Sequence, residues 1–382
     1  MRLFVTCFWS VLCLAAPLMA ADQAPPTGKS AGVKSALVKP ALAQPSAVNP
    51  TDMPAPTVNQ LVPAGAKFEL LYTRTAPIRG GLTEGPTIAP DGSIYFSDIP
   101  LGMDHGLIVR YVPATGKSEI FTSNSYKSNG LKFNSEGFLI ACEGADYGGR
   151  CISKWDVKTK KRTVLTDKYK GKHYNSCNDL VIDTQDRVYF SDPRYLGHEL
   201  MEQPHKCVYR LNTDGTVVEV THEVEKPNGL ALSPDGKTLY LADHSNGTDR
   251  IDPTRPDPKP GAMKIYAFPL GANGLIDGPR KTIYDFGTQA GCDGMTVDQK
   301  GNIYLAARSL KRPGVLVLSE SGQEVAFLPT GKPITDPKKP AGLPSNVTFG
   351  LGTDASTLYV TIDLSLYRIA LKVPGYHIPF KE

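Results

Sequence analysis

The sequence predicts an all-β chain folded as a six-bladed β-propeller, and three observations carry that expectation. Six units of similar pattern follow one another, Gly and Pro are abundant at 36 and 32 of 382 residues, and no 11-residue window has a convincing helical period. Each unit reads as a polar lead residue, a short apolar strand, a tight turn, a second apolar strand ending in a small or acidic residue, and then a further strand. The units begin at Glu84 in GLTEGPTIAPDGSIYFSD, Asn129 in SNGLKFNSEGFLIACE and Asn178 in NDLVIDTQDRVYFSDPRY. They return at Asn228 in NGLALSPDGKTLYLAD, Asp293 in DGMTVDQKGNIYLAA and Asn346 in NVTFGLGTDASTLYVTI. Successive leads lie roughly 45 to 65 positions apart, against about 40 to 50 residues for a four-stranded blade. The longest interval holds a Pro-rich insertion, Asp252 to Gly261, expected on a surface loop.

Closing the ring requires a partner for the last blade, because an open blade leaves an unpaired edge. The segment Phe68 to Thr73, ahead of the first unit, is expected to supply that strand. A β-sandwich or β-helix is the alternative, but neither explains six units with a polar residue at one phase.

Ahead of the repeats, Met1 and Arg2 precede an apolar run from Leu3 to Leu18 and small residues at Ala20 and Ala21. Residues 1–20 therefore read as an export signal, making the protein periplasmic or secreted, with a membrane anchor as the rival reading. Residues 21–65 are rich in Ala, Pro, Ser and Thr and are expected to be a disordered linker, with order beginning near Lys67 and the propeller spanning 66–382. Among 42 basic and 38 acidic residues the net charge is +4, and the Lys and Arg are scattered. Nucleic acid is not an expected partner, and no membrane is expected after signal cleavage. Five cysteines remain beyond the signal: Cys142, Cys151, Cys177, Cys207 and Cys292. They read as structural thiols, although Cys142 and Cys151 stand close enough in sequence to bridge strands of one hairpin. No Cys/His spacing of the zinc type is apparent.

In a propeller, residues at one phase of every innermost strand converge on the central channel. Glu84, Asn129, Asn178, Asn228, Asp293 and Asn346 all carry oxygen donors, a set that suits calcium, with zinc, magnesium or manganese as the other candidates for one divalent ion. Turn preference of Asn and Asp accounts for any one of them, but poorly for six in phase. A cation at such a site can polarise a carbonyl, and a nearby carboxylate can accept a proton from water. Asp293 is read as that catalytic base, with Asp179 as the alternative base or a residue that orients a ligand.

These segments also resemble the gluconolactonase family, grouped with senescence marker protein (regucalcin). The likeness covers roughly residues 66 to 372, and Asn178-Asp179-Leu180 followed by Tyr189-Phe190-Ser191-Asp192-Pro193-Arg194-Tyr195 is its most specific part. The resemblance implies a six-bladed propeller that hydrolyses a small-molecule sugar lactone with one divalent metal. It implies Glu84, Asn178 and Asp293 as ligands, Asn228 as a fourth, and Asn129 with Glu143 as substrate contacts, Lys127 standing near them. Asp179 and Asn346 are expected to line the same substrate space. No G-x-S-x-G elbow and no nucleotide-binding glycine motif is present. The rival functions are hydrolysis of organophosphates or aryl esters, and a non-catalytic propeller that binds a glycan or protein.

Overall fold

The computed structural model describes residues 47–381 apart from Arg79 and residues 250–258. The segment read as an export signal, the first part of the linker and most of the Pro-rich insertion lie outside these residues. Alternating and continuous apolar runs separated by tight turns pair as antiparallel sheets, and six of these have four strands each. From channel to rim, blade 1 runs Leu82–Ile88, Ile94–Ile99, Leu107–Val112, Lys117–Thr122. Blade 2 runs Ser128–Phe133, Leu139–Glu143, Cys151–Asp156, Lys161–Thr166. Blade 3 runs Leu180–Ile182, Val188–Asp192, Cys207–Leu211, Val217–Thr221. Blade 4 runs Pro227–Leu232, Thr238–His244, Met263–Pro269, Lys281–Asp285. Blade 5 runs Cys292–Val297, Ile303–Ala307, Gly314–Leu318, Glu324–Pro329. Blade 6 runs Pro344–Phe349, Thr357–Ile362, Ser365–Ala370 and, from the other end of the chain, Glu69–Thr73. The innermost strands meet their neighbours in a closed ring, the last against the first.

The ring closes as the sequence predicts, with Glu69–Thr73 pairing antiparallel along Ser365–Ala370. The core lies between blades. Tyr95 of blade 1 meets Phe133 of blade 2 edge to face at 5.3 Å, and Tyr304 of blade 5 meets Phe349 of blade 6 at 5.0 Å. Among the described residues no helix is long and apolar enough to cross a membrane, and the only helical elements are two short 3-10 turns.

One boundary differs from the sequence reading. Order begins well before Lys67: residues 47–65 lie against blades 5 and 6. Asn59 donates to Val325 O at 2.6 Å and accepts from Leu61 N and Val62 N, while Tyr367 Oη donates to Val48 O. Leu61 and Val62 are buried in the cluster that holds Phe349 and Tyr367. Composition averaged over the linker hides two apolar residues whose burial is enough to fix the segment. Leu61→Ala is therefore expected to lower the stability of the chain by about 2 to 3 kcal/mol, read as a fall in urea midpoint at constant slope.

The thiols are all free and buried, including Cys142 and Cys151. Cys151 stands opposite Glu143, one step out of register with Cys142, so the two side chains leave the sheet on opposite faces.

Candidate active site

The lead residues reach the channel because the innermost strands are irregular where they sit. Ladder register breaks between Glu84 and Thr87, Ser128 and Leu131, Pro227 and Leu230, Cys292 and Met295, and Pro344 and Asn346. A bulge of this kind re-aims a side chain. In blade 3 the regular ladder begins at Leu180, and Asn178 and Asp179 just ahead of it are tied to the second strand through Ser191, by Asn178 N to Ser191 O at 2.9 Å and Ser191 N to Asp179 O at 3.0 Å. Glycine after a lead residue lets the next blade come close: a Cβ at Gly294 would fall within the amide of Asn346, and one at Gly130 within reach of the Asp179 carboxylate.

The loops ahead of these strands are held by buried acids at the ends of the second strands. Asp192 accepts from Asn175 N at 2.8 Å and Ser176 N at 2.7 Å, three and two residues before Asn178. Asp243 accepts from Glu225 N and Lys226 N ahead of Asn228. Asp98 occupies the same place in blade 1 and is paired with Arg74, both side chains fully buried.

Glu143 ends the second strand of blade 2 and belongs to this set, which corrects its expected role as a substrate contact. It is fully buried, accepts from Ser153 Oγ at 2.6 Å and Arg162 Nε at 2.7 Å, and faces Cys151 Sγ at 3.1 Å. The structure does not bring it to the other candidates. Lys127 is likewise committed, to Asp146 at 3.3 Å and to Gly102 O.

Three acids gather at the channel. Asn346 Nδ2 donates to Glu84 Oε2 at 3.0 Å and to Asp179 Oδ2 at 3.2 Å, bridging blades 6, 1 and 3. Burial, then the charges of Asp293 and Asp179, push the Glu84 carboxyl well above its usual range. Burial raises Asp179 to about 6 against the pull of Lys132. Asn346 Oδ1 accepts from Val347 N at 2.8 Å, so this amide, expected as a substrate contact, is engaged at both ends, with its nitrogen holding the two acids.

The remaining oxygens are left available. Glu84 Oε2 also accepts from Gly85 N at 2.7 Å, which leaves Oε1 open. Arg308 Nη1 lies 3.2 Å from Asp293 Oδ2, leaving the other Asp293 oxygen open. Asn228 donates through Nδ2 to Tyr195 Oη at 3.0 Å, Tyr195 donates onward to His244 O at 3.1 Å, and Asn228 Oδ1 is thereby turned free. The side-chain amides of Asn178, which is 9% exposed, and of half-buried Asn129 make no hydrogen bond among the described residues. Asp179 is different: its Oδ1 accepts from Leu180 N at 2.9 Å and its Oδ2 from Asn346. Burial pushes the His244 imidazole down in pKa, and its Nδ1 meets Cys292 O at 2.9 Å.

An unshared set of carboxylate and amide oxygens, crowded enough to disfavour ionisation of Glu84 and Asp179, fits a hard divalent cation. A cavity of about 480 Å³ lies elsewhere, at the other end of the innermost strands beside Lys132, Asp183, Tyr376 and His377, and includes none of the lead residues.

A family model described as the SMP-30/Gluconolactonase/LRE-like region matches residues 82–363. The chain belongs to this family. A gluconolactonase of Zymomonas mobilis is 30% identical over 315 residues, covering 77% of this chain and 79% of the relative. Lactonohydrolase oryL of Aspergillus oryzae is 27% identical over 268 residues, covering 65% of this chain and 60% of the relative. Among solved structures, a gluconolactonase from Xanthomonas campestris superposes with a TM-score of 0.66 at 24% identity over 88% of this chain and 99% of that one, a likeness of fold. Membership in this family supports a lactone-hydrolysing function.

Sequence reasoning missed Arg308, Tyr195 as the group that turns Asn228, and the structural acids. The acids had a signal: Asp98, Glu143, Asp192 and Asp243 recur in phase at the ends of four second strands, just as the lead residues do. Arg308 and Tyr195 occur in single blades and carry none.

Proposed function

We propose that this chain is an exported, metal-dependent hydrolase that opens a sugar lactone to the hydroxy acid. The reading rests on the meeting of Glu84, Asp179 and Asp293 at one end of the channel in a chain of a lactonase family. Glu84, Asn178, Asn228 and Asp293 hold one divalent ion, calcium being favoured by the all-oxygen donor set. Such an ion supplies a Lewis acid for the ring carbonyl and eases deprotonation of water.

The chain's own groups do the rest. Arg308 fixes one oxygen of Asp293, so the other is presented in a defined direction and takes a proton from the attacking water. Asn129, with an uncommitted amide, holds the substrate. Tyr195 keeps Asn228 turned with its carbonyl oxygen toward the channel. Export rests on residues 1–20, and the N-terminal sequence of the secreted protein checks it.

The test is pH-stat hydrolysis of glucono-1,5-lactone by the full chain, with calcium and after chelation. Turnover that disappears on chelation and returns with calcium, while circular dichroism stays constant, is expected. Hydrolysis restricted to aryl esters or organophosphates changes the substrate class, and no hydrolysis of any of these sinks the enzyme reading.

Two neighbouring leads divide the labour. Asn129→Ala is expected to leave calcium affinity within a few-fold and lower kcat/KM about 10- to 100-fold, roughly 1.4 to 2.7 kcal/mol of transition-state stabilisation. Asn178→Ala is expected to weaken calcium binding and activity together, with partial rescue by added calcium. Calorimetric titration beside lactone hydrolysis separates the two; the reverse pattern exchanges the roles.

A further inference from the structure

The outer face of blade 3 carries a second group of donors, of different chemistry from the channel. Cys207 Sγ, a carboxylate oxygen of Glu219 and a ring nitrogen of His222 all lie within 4.8 Å of one another. His222 Nδ1 is 2.5 Å from Glu219 Oε1. The ring of His205 stacks on that of His222 with centroids 4.4 Å apart and planes at 13°, bringing a second imidazole over the first.

Local geometry explains how these side chains meet. Cys207 opens the third strand of the blade, and Glu219 lies in the outermost one, just ahead of His222. Glu219 and His222 are three residues apart and would leave opposite faces of a regular strand. The register breaks here: Val208 pairs with Thr221 but Tyr209 with Glu219, so Val220 is an extra residue. That bulge turns Glu219 onto the face of His222, and one further step of the ladder sets His222 across from Cys207. Blades 1, 2 and 4 break register at the same place. In blade 3 the break gathers sulfur, nitrogen and carboxylate.

We infer that Cys207, Glu219 and His222 form a binding site for a divalent transition metal of the zinc type, with His205 stacked over His222 to hold its ring. Thiolate and imidazole select zinc, cobalt or copper over calcium and magnesium, whereas the all-oxygen channel selects the reverse. These three donors fill three positions of a tetrahedral shell and leave the fourth to water. As the metal–sulfur bond forms, the Cys207 thiol gives its proton to solvent. Access is open from one side, since both histidines are exposed while the thiol is buried beneath them. Burial pushes the Cys207 thiol up to about 12, so without metal it stays protonated and is protected from oxidation. Bound there, the metal ties the third strand to the outermost strand at the rim of the propeller.

Cobalt is the probe, because thiolate coordination gives a near-ultraviolet charge-transfer band that oxygen ligands do not. The full chain, stripped with chelator, is titrated with Co²⁺ alone. A saturable band of one equivalent is expected, displaced by Zn²⁺ but not by Ca²⁺. Cys207→Ser is expected to abolish it, His222→Ala to shift the titration to cobalt concentrations on the order of 10-fold or more higher, and Glu84→Gln in the channel to leave it unchanged. His222 is exposed, so its variant keeps the comparison open if Cys207→Ser fails to fold. No band from the parent chain, or a band that survives in Cys207→Ser, overturns the site.

Discussion

Asp293→Asn is expected to lower kcat/KM for a sugar lactone by about 10²- to 10⁴-fold at saturating calcium, the range that loss of a general base produces. The substitution keeps shape and retains one carbonyl oxygen as a neutral donor, so saturating calcium separates the proton-transfer defect from weakened ion binding. Arg308 loses its charged partner at 3.2 Å, which adds an unpaired cation beside the reacting centre. Asp179→Asn provides the contrast. Both Asp179 oxygens are held by hydrogen bonds, from Leu180 N and Asn346 Nδ2, and in this assignment Asp179 orients the site and takes no proton, so less than a 10-fold loss is expected. The pH profile gives a second readout. With Asp179 at about 6, an acidic limb near that value that disappears in Asp179→Asn identifies Asp179 as the base. A larger loss from Asp179→Asn than from Asp293→Asn overturns the assignment of Asp293.

The repeat made most of the fold legible, because one pattern read six times averages out the ambiguity of any single strand. Closure by Glu69–Thr73 followed from the topology, which demands a partner for the edge beside Ser365–Ala370. The packed stretch from 47 to 65 did not follow. Its attachment depends on Leu61, Val62 and one well-placed amide at Asn59, contacts that a composition window cannot weigh. Phase grouped the lead residues but could not assign duties among them. Whether an asparagine offers its carbonyl outward, as Asn228 does, or spends both ends on its neighbours, as Asn346 does, depends on partners in other blades. Glu143 illustrates the same limit from the other side: the family resemblance implied a substrate contact, while the strand period places it with Asp98, Asp192 and Asp243 as an acid that holds the blade together.

Glu84→Gln is expected to reverse the order of stability between calcium and chelator. Without an ion, the Glu84 carboxyl is buried and faces the charges of Asp293 and Asp179, and these together raise its pKa well above the ordinary range. A carboxyl whose folded pKa exceeds its unfolded value near 4.3 contributes no penalty below that value, and its ionisation costs stability as pH rises toward the folded pKa. Glutamine removes this cost while keeping an acceptor for Gly85 N and Asn346 Nδ2. In chelator at neutral pH the variant is therefore expected to melt about 2 to 4 °C above the parent, for a gain near 1 kcal/mol, and the gap is expected to close as pH falls toward 4. With calcium the sign changes. A ligand present at about 100 times its Kd stabilises the parent by roughly 2.7 kcal/mol, whereas the variant has lost a charged donor and gains much less. Scanning calorimetry of both proteins, in chelator and in calcium, at neutral and mildly acidic pH, reads all four comparisons. A variant that melts below the parent in chelator and gains as much from calcium would show that Glu84 is a packing residue and that the ion sits elsewhere; the crossed pattern ties the strain among the three acids directly to the ability to hold a cation.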